Sequence, residues 1–474
     1  MKTVPTTSFG IFNGTVGTGW LAHRLIAALF FLAWGSLLRE ADIILAPDGL
    51  LPLGETMTFL ETNGSLSRHP THFWWEPARD HFKGGIWAGM LVAGLAFGGF
   101  RARACLALSS LLYLSYATAC RDMLSFQWDN LMIEMGLVGA LLPGHRKDPI
   151  LGWLPRLLLF KLMFESGIAK WQSHLGDWQD GSAMAHYYET APLPTWLAWH
   201  AHQLPDSWHT FESWWALFFE LAVPFLLFFG MGPRRVACAI FALFLVVDFS
   251  TANYGFFVPQ AAVLVLLSGI SDRDVAKAVK RNEVIPAVAD RGPRAALAAM
   301  VLSLYVVFSA AIGLDRFAGV ALMTDARSAI RSFRAVNSYH LFGHITRKRV
   351  EATFELTLDG EAWQELAMQY KPGPLDRPPP FIAPMQPRVD FRLWFYGLSY
   401  RRGAPRYVVS LARRLCESPE AMQPLFTTPL PADARAVRIR FDRYQYTTAE
   451  ERAATGDWWK RSFLQYSGIH RCPS

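Results

Sequence analysis

Nine mainly apolar stretches mark the first two-thirds of the chain, at 20–38, 84–100, 103–120, 124–142, 152–171, 212–230, 235–252, 256–270 and 295–314. A helix of about 20 apolar residues covers the roughly 30 Å hydrocarbon core of a bilayer, so each stretch is predicted to span a membrane. Three depart from the ideal: 124–142 carries charge, 152–171 contains Pro155, and 256–270 is short. After about residue 330 the pattern changes. Val350, Ala352, Phe354, Leu356 and Leu358 alternate with Glu351, Thr353, Glu355 and Thr357, a half-buried strand ending in an Asp-Gly turn. Val437, Ile439 and Phe441 alternate with Arg438, Arg440 and Asp442 in the same way, and a helix is expected near Tyr407 to Cys416. The fold class is therefore a polytopic α-helical membrane protein with about nine transmembrane helices over 1–314 and a soluble, β-rich α+β domain over 315–474.

Charge sets the parity of the spans. With the N-terminus inside, alternate loops hold Arg101 and Arg103, then Arg146 and Lys147, then Arg234 and Arg235, and finally Arg273, Lys277, Lys280, Arg281, Arg291 and Arg294. Short cytoplasmic loops collect Lys and Arg, so nine spans leave the C-terminal domain on the outer side, lumen or periplasm. An even number would break the rule. The connector at 271–294 reads as a short interfacial helix. The N-terminus lacks a basic region followed by an apolar core and a small-residue cleavage site, so its first apolar segment reads as a retained helix.

Composition supports the membrane class. Of 474 residues, 52% are hydrophobic, 14% aromatic and only 18% charged, with 18 Trp and 34 Phe. The net charge of +7 is scattered between apolar stretches, which excludes nucleic acid as a partner. Of the five cysteines, Cys416 and Cys472 lie in the polar last third; they are either a disulfide or two free thiols. No phosphate-cradling Gly loop, nucleophile elbow, Cys-x-x-Cys or HExxH occurs, and no cofactor is implied.

Ionisable residues inside spans are costly and mark either function or paired structure. They are Arg24, Asp129, Glu134, Lys161, Glu165, Lys170, Glu220 and Asp248. Lys161 and Glu165 are one helical turn apart and can pair. A buried ion network is favoured over a proton path or catalytic cluster. The loop 171–211 holds His174, His186, His200, His202 and His209 without acidic or Cys partners at metal-ligand spacing, so no metal site is assigned. With Trp171, Trp178, Trp196, Trp199, Trp208 and Trp214 it reads as an amphipathic loop at the headgroups. The proline-rich stretch 377–390 reads as an extended loop over the sheet or, as the alternative, a partner-docking strip.

Several of these segments resemble the signature stretches of the lipase maturation factor family. They are the run His186, Tyr187, Tyr188, Glu189, Thr190, Ala191, Pro192, Leu193, Pro194, Thr195, and then Asn253, Tyr254 and Gly255. In the last third come Asn337, Tyr339 and Gly343 in VNSYHLFG, YKPG at 370–373, and Pro384, Gln386, Pro387 and Arg388 in RPPPFIAPMQPRVD. Trp458 and Trp459 in ATGDWWK complete the series. Ala191 and Ala252 depart from the Gln and Gly of the pattern. The resemblance covers nearly the whole chain. It implies a membrane protein, resident in the endoplasmic reticulum in animals, that helps secreted homodimeric lipases fold and assemble, with the outward C-terminal domain engaging the client. The chain carries no C-terminal retrieval signal, so a bacterial member in the inner membrane is the alternative, with membrane lipids as its surroundings in either case.

A shorter match, Gly167 to Lys170 followed by Asp177 to Gly181, resembles the catalytic-lysine segment of the vitamin K-dependent γ-carboxylase and its bacterial relatives. It implies that Lys170, with Glu165, acts as a base in a membrane enzyme working on a lipid, quinone or exported polypeptide. In that reading partial burial at the outer end of the fifth span favours the neutral amine and makes Lys170 a base; the other reading has Lys170 snorkelling to the headgroups. An assembly factor without catalysis is favoured over that enzyme, and both over a transporter, for which no paired halves occur.

Overall fold

In the computed structural model, which describes residues 17–66, 68–144, 148–279 and 292–473, a helix lies over every predicted apolar stretch. These are α1 (Thr18–Leu45), α2 (Phe82–Gly98), α3 (Ala102–Ala119), α4 (Gln127–Leu141) and α5 (Leu154–Trp171). After two short helices, α6 (Ala183–Thr190) and α7 (Trp196–His202), come α8 (Asp206–Leu221), α9 (Met231–Thr251), α10 (Phe257–Gly269) and α11 (Pro293–Ala318). Three are long and apolar enough to cross a bilayer by length and composition: α1, α8 with its 3₁₀ continuation to Phe228, and α11. The apolar helices α2 and α10 are shorter. Outward-facing Leu91, Leu111, Leu243, Val246, Leu297 and Met300 are exposed, the surface expected of helices solvated by lipid rather than water. The chain is an integral membrane protein.

Inside the bundle, helices meet through aromatic rings and small residues. The fully buried Trp34 of α1 sets its ring edge-on to Tyr113 and Tyr116 of α3, and Gly89 of α2 lies so close that a Cβ there would sit 2.3 Å from the indole. The connector after α10 opens with a helix at Asp272–Ala278 capped by Ser271; Lys280, Arg281 and Arg291, like Arg146 and Lys147, lie outside the described residues.

Beyond α11 a helix at Thr324–Ser332 precedes an extended segment whose Val336, Tyr339 and Leu341 are buried among the membrane helices. The chain then forms an antiparallel sheet of β1 (Arg349–Thr357), β2 (Gln364–Leu366), β3 (Ala436–Tyr446), β4 (Trp459–Tyr466) and β5 (His470–Arg471), ordered β2-β1-β3-β4 with β5 also on β3. Two helices, α12 (Arg388–Ser399) and α13 (Arg406–Glu417), pack on it, and Cys416 at the end of α13 is bonded to Cys472 after β5. The Asp359-Gly360 turn after β1 is closed by Asp359, whose carboxylate accepts from the Glu361 and Ala362 amides.

The alternation in β1 predicted one solvated face, yet both faces are buried. The polar face is covered because its carboxylates meet cations: Glu351 pairs with Arg349 at 2.7 Å and Lys371 at 2.5 Å, and Glu355 with Arg438 of β3 at 2.6 Å. Strand β3 keeps its alternation, with Val437, Ile439 and Phe441 buried and Arg438 and Arg440 partly exposed.

Candidate functional site

The residues singled out from sequence converge on a seam between the helical bundle and the sheet. At its deepest point Arg388, the first residue of α12, is wholly buried, as is its partner Asp129 of α4. The guanidinium donates to Asp129 Oδ1 at 2.9 Å and Oδ2 at 3.2 Å, to the Tyr113 hydroxyl at 3.0 Å and to the Met123 carbonyl at 2.9 Å. Its backbone N–H donates to Glu40 of α1 at 2.8 Å, and the amide of Gln386 donates to Ser36 at 2.9 Å. Pro387 caps α12, and Pro384 follows a cis peptide bond. Arg fits here because its planar fork matches a carboxylate bidentately while its spare N–H groups take carbonyl and hydroxyl partners.

A second knot fixes the segment entering from α11. Glu134 of α4 accepts from Lys161 at 2.5 Å, Tyr305 at 2.8 Å, the Asn337 side chain at 2.8 Å and the Tyr339 hydroxyl at 2.7 Å. Glu165 accepts from the Tyr339 amide at 2.6 Å. The one-turn pairing of Lys161 with Glu165 therefore gives way to a contact across helices, because Glu134 lies deeper and would otherwise be an unpaired buried charge. Gly343 packs on Ala169, where an added Cβ would lie 3.2 Å from the alanine side chain.

Lys170 is 1% exposed, rather than half in the headgroups. Its Nζ donates to Glu220 of α8 at 2.6 Å and to the Leu341 carbonyl at 3.0 Å, with the Trp178 and Phe342 rings beside it. Both partners are buried, and Lys170 helps to line the edge of a mainly apolar cavity of about 340 Å³ between α8 and α9.

The third contact joins the α6–α7 loop to the sheet. Arg349 of β1 donates to the carbonyls of Glu189, Ala191 and Pro192, and its guanidinium lies over the Trp459 ring. The Glu189 carboxylate accepts from the Tyr446 amide at 2.9 Å. Trp199 donates its indole N–H to Thr447 and meets Trp458 edge-on. Pro194 bridges to Ala252, and Asn253 donates to the Leu193 and Pro380 carbonyls while accepting from the Ile382 and Ala383 amides. The Tyr254 hydroxyl donates to that of Tyr187, which donates to Asp248, and Tyr188 donates to Glu212.

Two further expectations change. Trp178 and Trp199 are buried against the C-terminal segments instead of sitting in headgroups, while Trp171, Trp196, Trp208 and Trp214 stay exposed. Within the proline-rich stretch, 380–388 is wedged between Asn253 and α1 rather than laid over the sheet, while Pro378 and Phe381 stay exposed. His186 is half-buried, and His202 lies 3.8 Å from Glu189, its pKa lowered to about 4 by burial and then by the neighbouring His209 and His186. Among the described residues no group of three or more His, Cys, Asp or Glu is arranged to hold a metal ion. Sequence reasoning missed Arg349, which flanks an apolar alternation and carries no signal of the loop carbonyls it will meet.

Two family models match the chain. Residues 18–277 match the lipase maturation factor transmembrane domain and 335–467 the lipase maturation factor C-terminal domain. The chain is 27% identical to human lipase maturation factor 2, over 93% of this chain and 80% of that protein. It is 27% identical to bovine lipase maturation factor 1 over 94% and 88%, and 27% to chicken lipase maturation factor 2 over 93% and 79%. No solved structure matches the chain.

Proposed function

The chain belongs to the lipase maturation factor family, and from that premise we propose that it is a membrane-anchored maturation factor that assists folding and assembly of secreted lipase-like clients without catalysing a reaction. The observation that carries this reading is the fate of the signature residues. Arg388, Asn253 and Glu189 are hydrogen-bonded between the bundle and the C-terminal segments, Tyr339 ties the segment after α11 to α4 and α5, and Lys170, from the carboxylase-like match, is held in the same way. A base needs an accessible lone pair within reach of substrate, whereas Lys170 is held between Glu220 and Leu341. This favours the maturation role over the membrane enzyme.

In this reading nine spans hold residues 1–314 in the membrane and present 315–474 on the lumenal or periplasmic side, in the endoplasmic reticulum of a eukaryote or the inner membrane of a bacterium. The alternating basic loops support that sidedness. The functional test is secretion of active lipase on co-expression with the Lys170→Met/Glu220→Gln pair, which removes both charges together. Maturation at the parental level is expected; its loss, with the protein folded and inserted, would overturn the non-catalytic reading. Thiol labelling of Lys460→Cys and Arg273→Cys in intact cells or vesicles tests sidedness, with opposite accessibility expected.

A further inference from the structure

The cavity of about 340 Å³ beside Lys170 is walled by Phe211, Trp215 and Phe219 of α8 and by Leu243, Phe244 and Val247 of α9. Its size is at the lower end of the ~300–1,000 Å³ typical of small-molecule sites. Leu243 is 64% and Val247 40% exposed, so the mouth opens on the lipid-facing surface. The polar groups gather at one end. Asp248 lies in the last turn of α9 and Lys170 in the last turn of α5, the end of the bundle on which the sheet docks. An amphiphile entering from the bilayer would thus leave its chain between α8 and α9 and its polar end at the membrane boundary.

Asp248 says which polar end fits. It is 7% exposed, and its Oδ1 accepts from Tyr187 at 2.8 Å, but Oδ2 is buried without a hydrogen-bond partner. Among the described cavity-lining residues it is the buried side-chain oxygen left unpaired. Both oxygens of Glu212 are engaged, by Tyr188 and His209, and Lys170 is taken by Glu220. An orphaned carboxylate oxygen in an apolar wall calls for a hydrogen-bond donor. Among the described residues lining the cavity, Lys170 is the one Lys or Arg and is already paired with Glu220, while Asp248 and Glu212 add carboxylates, a balance that disfavours a phosphate or a second carboxylate.

We propose that this cavity binds a neutral membrane lipid with a free hydroxyl, of the diacylglycerol type, one acyl chain lying between α8 and α9 and the hydroxyl donating to Asp248 Oδ2. The site does not depend on the identity of any client, so its test stands apart from that of the maturation role.

The full-length protein in nanodiscs is irradiated with a dioleoylglycerol analogue carrying a mid-chain diazirine, and the labelled peptides are mapped. Labelling is expected to concentrate in 208–219 and 243–251. Excess dioleoylglycerol should suppress it about tenfold, while dioleoyl phosphatidic acid, oleic acid and cholesterol leave it largely unchanged. Leu243→Trp, which changes only an exposed residue at the mouth, should cut labelling severalfold. Asp248→Leu should weaken competition by about tenfold, the factor expected from losing one hydrogen bond to a charged group. Labelling spread evenly over the outward helix faces, equal competition by phosphatidic acid, oleic acid or cholesterol, or an unaffected Leu243→Trp protein would each overturn the assignment.

Discussion

Replacing Arg388 with Met tests whether the seam is held by buried charge. Both Arg388 and Asp129 are fully buried, and the guanidinium satisfies two carboxylate oxygens, a hydroxyl and a carbonyl at 2.9–3.2 Å. Methionine matches much of the aliphatic volume but leaves the buried Asp129 carboxylate without its cation, with only the Tyr113 hydroxyl and the Phe126 amide donating to it, a change that costs about 3–5 kcal/mol. Asp129→Asn in the same chain removes the charge, so the double variant should recover at least ~2 kcal/mol of that loss, a coupling in the range seen for residues in direct contact. Unfolding of the purified protein in detergent, followed by tryptophan fluorescence across a denaturant series, measures all four members of the cycle. A single-variant loss below about 1 kcal/mol, within the range of ordinary surface substitutions and mild losses, or strict additivity in the double variant, would refute the reasoning.

Acid should loosen the contact of α7 with β3. Burial holds His202 neutral in the fold, at about 4 against an ordinary 6.5, so the unfolded chain takes up the proton first; stability is complete above pH 6.5 and falls as pH drops toward 4. Between pH 7 and 5 that is about 2 kcal/mol, measured as the pH slope of the unfolding midpoint, and His202→Gln should flatten it. Opening the Cys416–Cys472 bond, which closes 56 residues of chain, should cost about 4 kcal/mol on loop entropy; Cys416→Ser/Cys472→Ser should release the end after β4 to proteolysis, and an unchanged digestion pattern would count against the role. Gly397→Ala places a Cβ 2.1 Å from the Val350 carbonyl, backbone against backbone, so α12 must lift from β1; a loss of roughly 1–3 kcal/mol is expected, and a neutral midpoint would contradict the packing.

Much of the secondary structure was legible because periodicity is a local property. The apolar runs place the helices, though the end of α1 and the start of α8 are missed by more than a turn, and the alternation in Val437 to Phe441 is the alternation seen in β3. What could not be read is which charge meets which. Lys161 has Glu165 one turn away in sequence, yet its partner is Glu134 on another helix. The polar positions of β1 look solvated until Lys371, from a later loop, covers Glu351. Tryptophan composition pointed to headgroup belts, but Trp178 and Trp199 are drawn inward by the carbonyls of Phe342 and Thr447, which the chain supplies more than 150 residues later.

The seam also changes how loss of function in such a protein is to be interpreted. Residues that resemble family signatures invite assignment to client contact, but Asn253, Glu189 and Arg388 face one another's segments and are buried. Substituting them is expected to loosen the sheet from the bundle whatever the client. Client contact is therefore best sought where the chain leaves apolar groups exposed on the sheet, such as Phe463 and Tyr466 of β4 and Ile469 beyond it. Variants there should impair maturation at unchanged unfolding midpoints, whereas seam variants should lower both together. The two classes are distinguished only if stability and lipase output are measured on the same set of proteins.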